Sequence, residues 1–574
     1  MPIWHRRRRR LTMSAMKDIR LLGILFLALA VRTAMLFSVS ADIERAKTPD
    51  SQEYENLAAG WLQTGEYEDP LPIKRIYFSG CLPRVYRAEI FRTPGYPALL
   101  AGAVRATPKN QSAQSPLLLL WFSARPSQTT YQIILSFQVL VDLHLVMLTF
   151  FLGRSLAGHG AGLLAALFQA VSPLAAAASC RILTDGIFAF MLTAAVLLLL
   201  RHFRTGGWWL LLSAGLVMGA ACYVRPVGLA FSAVMALVIL FSRRSTGRST
   251  GILPVSSMGI LPMSRRSVSA LPGESRTTGE TPVGLTAETA VLRPEAPFFA
   301  EASQGKRPEV HPIRLLRTAA FAGAVIFCIA PWVFRNATVA DYWGFSSFAT
   351  DSMYWYSAAE IEARQKHKPV EEIRQQFRKA ERWPDGTEEG LVAFAKGPCG
   401  STPGHLARYR WDKARGIIFA HPWEFLDIHL RGDLAFWLPD ATEALEVLGY
   451  TSGGKGTLDV LHRQGLVAAA KHYFEDNTTA MALAGAMVVL LLIRYAGIVL
   501  CGLWRLRPRM LAAGWLCLLL VLTAWLLPGP ANHPRFRVPV EPILSAAAAI
   551  GWLGLLQWRR RGVPRTKELS NDER

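Results

Sequence analysis

The sequence predicts an all-α polytopic membrane protein, and three observations carry that prediction. Hydrophobic residues make up 51% of the 574-residue chain, with a mean hydropathy of +0.23, too apolar for a water-soluble protein of this size. They fall in blocks of the length a bilayer-crossing helix needs, roughly 20 residues. The basic residues behind the formal charge of +21 sit beside those blocks, at alternate turns. A nucleic-acid binder would gather them on one stripe or in a recognisable motif, and this chain does neither.

Taken in order, apolar spans are expected near 21–39, 131–151, 161–178, 184–200, 208–222, 227–241, 317–333, 480–500, 511–527 and 542–558. Two further apolar stretches, 94–104 and 117–122, are too short to cross; the first reads as re-entrant or interfacial. The opening MPIWHRRRRR looks like the start of a signal peptide. No small-residue cleavage site follows, so a retained signal anchor is expected. By the positive-inside rule, Arg6–Arg10 place the N-terminus in the cytoplasm. Arg154, Arg201, Arg243, Arg505 and Arg559 then mark the later cytoplasmic turns, and about ten spans return the C-terminus to that side.

This reading divides the chain into five parts. Residues 1–244 form an N-terminal membrane module with a large outer loop at 40–130, and 245–310 form a Ser/Thr/Pro/Gly-rich cytoplasmic insertion in which GILPVSSM is repeated as GILPMSRR. The insertion is expected to be disordered, with no core of its own. Residues 311–340 hold one span, 341–479 an extracytoplasmic helical segment, and 480–574 a C-terminal membrane module with a cytoplasmic tail. Charge runs such as AEIEARQKHKPVEEIRQQFRKAERW read as solvated helix faces of a segment that sits over the site. Seven cysteines include no CxxC; Cys222, Cys328, Cys501 and Cys517 read as core residues, leaving Cys81 and Cys399 in loops long enough to pair.

The residues with chemistry gather on the outer face. TPDSQEYENLAAGWLQTGEY, residues 48–67, puts Tyr54, Leu57, Ala58, Trp61 and Leu62 on one side of a helix that can lie on the membrane or pack on neighbouring span ends. Asp50 opens it with Glu53 three residues on, which reads as a cap resembling a capping box. The same carboxylate, held at a membrane boundary, suits a general base. FRTPGYPALLAG adds Arg92 and Tyr96, SCRILTDGIFAF adds Asp185 at the start of a span, YVRPVG adds Arg225, and PWVFRN adds Arg335. NHPRFRVPVEP adds His533, Arg535, Arg537 and Glu541. Outer arginines run against the positive-inside bias and suit a phosphate whose tail lies in the bilayer. The carboxylates could take a proton or hold a divalent metal ion, with Asp185 and Glu53 as the candidate ligands.

The set PDSQEYENLAAGWLQTG, RTPGYP, TDGIFAF, VRPVG, PWVFRN and RFRVPVEP resembles the family-39-type membrane glycosyltransferases, relatives of the protein O-mannosyltransferases and the lipid A aminoarabinose transferases. The resemblance covers nearly the whole chain apart from 245–310 and much of 350–470. It implies a GT-C-like helical bundle in the cell (inner) membrane, an extracytoplasmic active face, and a polyprenyl-phosphate-linked sugar as donor to a glycan, lipid or protein acceptor. It implies catalytic roles for Asp50 and Asp185, and phosphate binding by the arginine of the last turn, Arg535 or Arg537. Arg92, Arg225 and Arg335 join as donor-phosphate candidates, with Glu53, Tyr54, Tyr96 and His533 in support. Ser51 departs from relatives that carry a second acid there, which disfavours a two-acid metal site within this motif. The rivals are a lipid-linked glycan polymerase, a scaffold, and a transporter; the last would need mid-span charges or broken helices, which the sequence does not show.

Overall fold

The structure, a computed structural model, describes residues 19–68, 88–107, 127–242, 312–381, 402–439, 441–450, 457–502 and 511–562. The GILP insertion, the 117–122 stretch, the N-terminal anchor arginines, Cys81 and Cys399 lie outside the described residues.

Each expected span has a helix. Six are long and apolar enough to cross a membrane: Ile19–Ala41, Gln128–Ala157, Asp185–Thr205, Pro312–Ala340, Thr478–Gly502 and Pro534–Arg559. The expected span at 161–178 is two helices, His159–Ala170 and Pro173–Ser179, bent by 61°. Ser172 accepts from the Ala175 N–H and Pro173 follows, so the chain restarts a helix there instead of continuing the first. Three shorter apolar helices, Trp208–Val224, Gly228–Phe241 and Leu511–Leu526, account for the remaining spans.

Small residues set the helix spacing, as expected where lipid supplies no hydrophobic drive between helices. A Cβ on Gly215 would meet the Phe321 carbonyl at 2.6 Å, and one on Gly219 the Cys328 Cβ at 2.5 Å, so this four-residue repeat lets Trp208–Val224 lie directly on Pro312–Ala340. The largest core cluster runs through Phe188, Met218, Phe231, Phe321, Leu516 and Leu544, joining six of these helices.

The expectation that charges stay at span ends is corrected. Arg32, in the first span, and Asp142, in the second, meet inside the bundle with Nε to Oδ2 at 2.6 Å and side-chain exposures of 0% and 2%. Arg32 also donates to the carbonyls of Gln169 and Ala170, the last residues before the bend. The Gln169 carbonyl also accepts the Ser172 N–H at 3.4 Å, and the guanidinium adds a donor to both carbonyls at the break while it pairs with the acid in a dry interior. A break and a charge pair are features a transporter would show, but this pair is closed off from water and holds helices together.

Among the described residues, Cys180, Cys222, Cys328, Cys501 and Cys517 are free thiols; of the four read as core residues, Cys222 is buried and Cys328, Cys501 and Cys517 are only partly buried. The described residues of the 341–479 segment are mostly helical. Their centre is Arg410, which binds Asp351 at 2.5 Å and Glu381 at 2.8 Å, all at most 7% exposed, and faces the Trp355 ring at 5.3 Å.

Candidate active site

Helix Pro49–Thr64 begins at a cap built by Thr48 and Ser51. The Thr48 side chain accepts from the Ser51 N–H, and the Ser51 hydroxyl accepts from the Thr48 N–H. This corrects the capping role expected for Asp50: with the cap already made, Asp50 sits one residue inside the helix and its carboxylate is free to reach outward. Ser51, fully buried, also donates to the Ile182 carbonyl at 2.9 Å, and the Ile182 N–H donates to the Ala46 carbonyl. Those two bonds tie the Asp50 turn to the turn that leads into Asp185. Tyr54 and Ala58 are buried in one cluster with Tyr96, Leu100, Tyr131 and Ile134, and Leu57 beside them is buried too, so the helix packs on span ends.

The RTPGYP turn is pressed onto the same place. A Cβ on Gly95 would meet the Tyr223 carbonyl at 2.6 Å, so only glycine permits this turn to lie against the chain just before Arg225. Arg92 then donates from Nη2 to Asp50 at 2.7 Å and from Nε to Glu53 at 2.7 Å, with its guanidinium 5.2 Å from the Tyr54 ring. Tyr54 packs edge-on against Tyr96, whose hydroxyl donates to Gln138 at 2.6 Å. Glu89 accepts from the backbone N–H groups of Phe91 and Arg92 and fixes the turn.

From the other end of the chain, Arg535 reaches the second oxygen of Asp50 at 2.5 Å. Residues 534–540 form a 3₁₀ helix, so positions two apart differ by about 240° and Arg535 and Arg537 point to different sides. Arg537 turns inward, donating to Glu541 at 2.9 Å and to the Phe436 carbonyl at 2.7 Å, while Arg494 binds the other Glu541 oxygen. Arg335 likewise donates to the carbonyls of Tyr67 and Glu89, each at 2.8 Å, and stacks on Trp332. The structure therefore brings Arg92 and Arg535 to Asp50 and engages Arg335 and Arg537 elsewhere.

Asp185 is buried at its helix start and ion-paired with Arg225. Arg225 and Arg535 face the same ring, Phe536, at 5.6 Å and 5.5 Å, and Arg225 feels the charges of Arg535, Asp50 and Arg92. Both aspartates thus belong to one group at one end of the bundle. His533 borders it; its Nδ1 accepts the Arg535 N–H, and burial lowers its pKa, keeping the ring neutral at pH 7. Phe536 and Glu89 escaped the sequence reading, and Ser51 entered it only as a departure from relatives with a second acid. A serine in a short motif carries no signal of a tertiary bond 131 residues away.

The donor set does not fit a divalent ion. Glu53 and Asp185 are each held by a guanidinium, and among the described residues no three His, Cys, Asp or Glu side chains converge. Burial alone would raise the Asp50 carboxyl, but Arg92 and Arg535 outweigh it by charge and hydrogen bonds, holding it well below the usual carboxylate range. Arg92 is correspondingly held well above its usual value. Because the folded carboxyl titrates below its unfolded value of about 3.9, its contribution to stability is complete above about pH 5 and is lost progressively as pH falls from there through the folded value. Thermal unfolding in detergent is therefore expected to show parallel wild-type and Asp50→Asn curves between about pH 7 and pH 5.

Residues 115–264 match the family described as dolichyl-phosphate-mannose-protein mannosyltransferase. No curated protein gives a significant match. Among solved structures, the chain is similar to the oligosaccharyltransferase AglB of Archaeoglobus fulgidus in complex with an inhibitory peptide and a dolichol-phosphate. That likeness has 13% identity and a TM-score of 0.41, over 96% of this chain and 52% of that one. The apo form of the Archaeoglobus fulgidus enzyme gives 13% identity and 0.41, over 95% and 52%, and the form tethered to an acceptor peptide gives 13% and 0.42, over 95% and 50%. The chain spans about half the length of those structures. Its resemblance to membrane glycosyltransferases of the GT-C superfamily, read from the motifs, accords with the family match.

Proposed function

We propose that this protein transfers a sugar from a polyprenyl-phosphate donor to an acceptor hydroxyl at the extracytoplasmic membrane boundary, in one inverting displacement. The observation that carries the reading is Asp50 clasped between Arg92 and Arg535, side chains from opposite ends of the chain, beside the Asp185–Arg225 pair. Two guanidiniums on one carboxylate make a ready site for a phosphate, whose oxygens offer the same bidentate geometry.

The same clasp leaves Asp50 a weak base while the site is empty. An arriving phosphate draws Arg92 and Arg535 toward itself, and the carboxyl rises toward its ordinary range as they leave. Base strength then appears when the donor is bound. The acceptor oxygen attacks the anomeric carbon, its proton passes to Asp50, and the sugar–phosphate C–O bond breaks with its electrons on the phosphate oxygen. The arginines stabilise that departing charge, and no strong acid is required because a phosphate monoester is already a good leaving group. Asp185 holds Arg225 in place from the side, a positioning role.

Membranes supplied with a radiolabelled polyprenyl-phosphate sugar are expected to transfer label to a non-lipid or second-lipid product; label that stays on the donor under every acceptor condition rejects the reading. Arg535→Gln and Arg537→Gln separate the two roles of the last turn. Arg535→Gln is expected to keep the fold and raise the donor KM about tenfold or more. Arg537→Gln should lower stability by about 3 kcal/mol, since it leaves Glu541 short of a partner in a dry interior; unfolding midpoints of the two variants check this.

A further inference from the structure

Helix Pro422–Asp433 and the turn after it carry an apolar stripe that none of the described residues covers. Trp423, Leu426, Leu430, Leu434 and Leu438 follow at intervals of three or four residues and are 45–78% exposed, with Phe419 ahead of them at 77%. The charged side chains lie on one flank. Asp427 binds Arg364 at 2.6 Å and Arg431 at 2.9 Å, and Glu424 accepts from Gln365, joining that flank to the solvated helix Ala359–Gln365. The opposite side is buried through Ile428. An apolar stripe bordered by charges, with a tryptophan at its head, is the pattern of a helix lying in a membrane interface.

The position of the helix says what covers the stripe. Its last residue, Asp433, accepts from the Trp525 indole N–H at 3.0 Å through its carbonyl and from Asn532 at 3.1 Å through its carboxylate. Trp525 belongs to the end of the span Leu511–Leu526, where Leu526 and Leu527 are themselves 44% and 47% exposed. The stripe therefore continues the lipid-facing surface of a span. We infer that Pro422–Leu438 lies in the bilayer leaflet on the site side, its stripe in the acyl region and its Asp427 flank at the headgroups.

This seating bears on the site by a short path. Asn532 is held by Asp433 and precedes the His533–Arg535 turn, so the depth of the helix in the leaflet sets where Arg535 stands relative to Asp50. The claim about the leaflet rests on the stripe and the span alone and holds whatever reaction the site performs.

The test uses the full chain in phosphatidylethanolamine–phosphatidylglycerol liposomes with a diazirine amino acid placed singly at Trp423, Leu430, Glu424 or Ile326. Ile326 lies 58% exposed on the span Pro312–Ala340 and reports lipid contact; Glu424 reports the charged flank. Photolysis is expected to give lipid adducts at Trp423 and Leu430 in yields like those at Ile326, and several-fold fewer at Glu424. Adducts that join two copies of the chain would assign the stripe to a dimer and overturn the inference. Water-quenched products without lipid at Trp423 and Leu430, while Ile326 labels normally, would overturn it as well.

Discussion

Asp50→Asn is expected to slow sugar transfer by about 10²–10⁴-fold, the range a positioned general base supplies, with the fold retained. The amide keeps the shape of the carboxylate and can still accept from one of the two arginines, so the Thr48–Ser51 cap and the Ser51–Ile182 bond stay in place. What it loses is the ability to take the acceptor proton. Because Arg92 and Arg535 remain to meet the phosphate, donor binding should persist or tighten, so the deficit should fall on kcat and not on KM. Single-turnover transfer with purified protein, alongside a thermal unfolding curve, makes the measurement. Near-normal turnover in a folded variant would remove Asp50 from the reaction and leave the arginine pair as a binding site alone.

Arg32→Met is expected to cost about 3–5 kcal/mol of stability, the range for breaking a buried ion pair from one side. Asp142 would be left without a counter-charge at 2% side-chain exposure, and the Gln169 and Ala170 carbonyls would lose the guanidinium at the bend. Converting Asp142 to Leu in the same chain removes the stranded charge and should restore much of the loss, since an apolar pair of similar volume replaces an ion pair at little cost. The double-mutant cycle, read from unfolding midpoints or from yield of monodisperse protein, separates the pair from the carbonyl contacts. No recovery in the double variant would mean that the bend, not the ion pair, is what Arg32 holds.

Much of the architecture was legible because bilayer thickness imposes a length on any apolar helix, and ten apolar stretches of roughly that length stand out. The site was legible as a set of residue types: acids, and arginines at span boundaries that the positive-inside reading assigns to the outer face, conflict with the local bias and so draw notice. Their partners were not legible. RFRVP offers two arginines of equal standing, and only the 3₁₀ turn sends Arg535 to Asp50 and Arg537 to Glu541. Asp50 looked like a cap because acids favour helix starts, but Thr48, two residues earlier, had the extended backbone a cap requires. Arg32 and Asp142 were visible as charges within apolar runs and passed over, though an intramembrane charge is itself a signal that a partner exists.

The sequence by itself determined that this chain is a multi-span helical membrane protein with acids and arginines at its span boundaries, since hydropathy acts over short windows and needs no partner. Tertiary structure alone decided which charges meet: ion pairing is a matter of distance, and the distances here join residues 42, 110 and 485 positions apart.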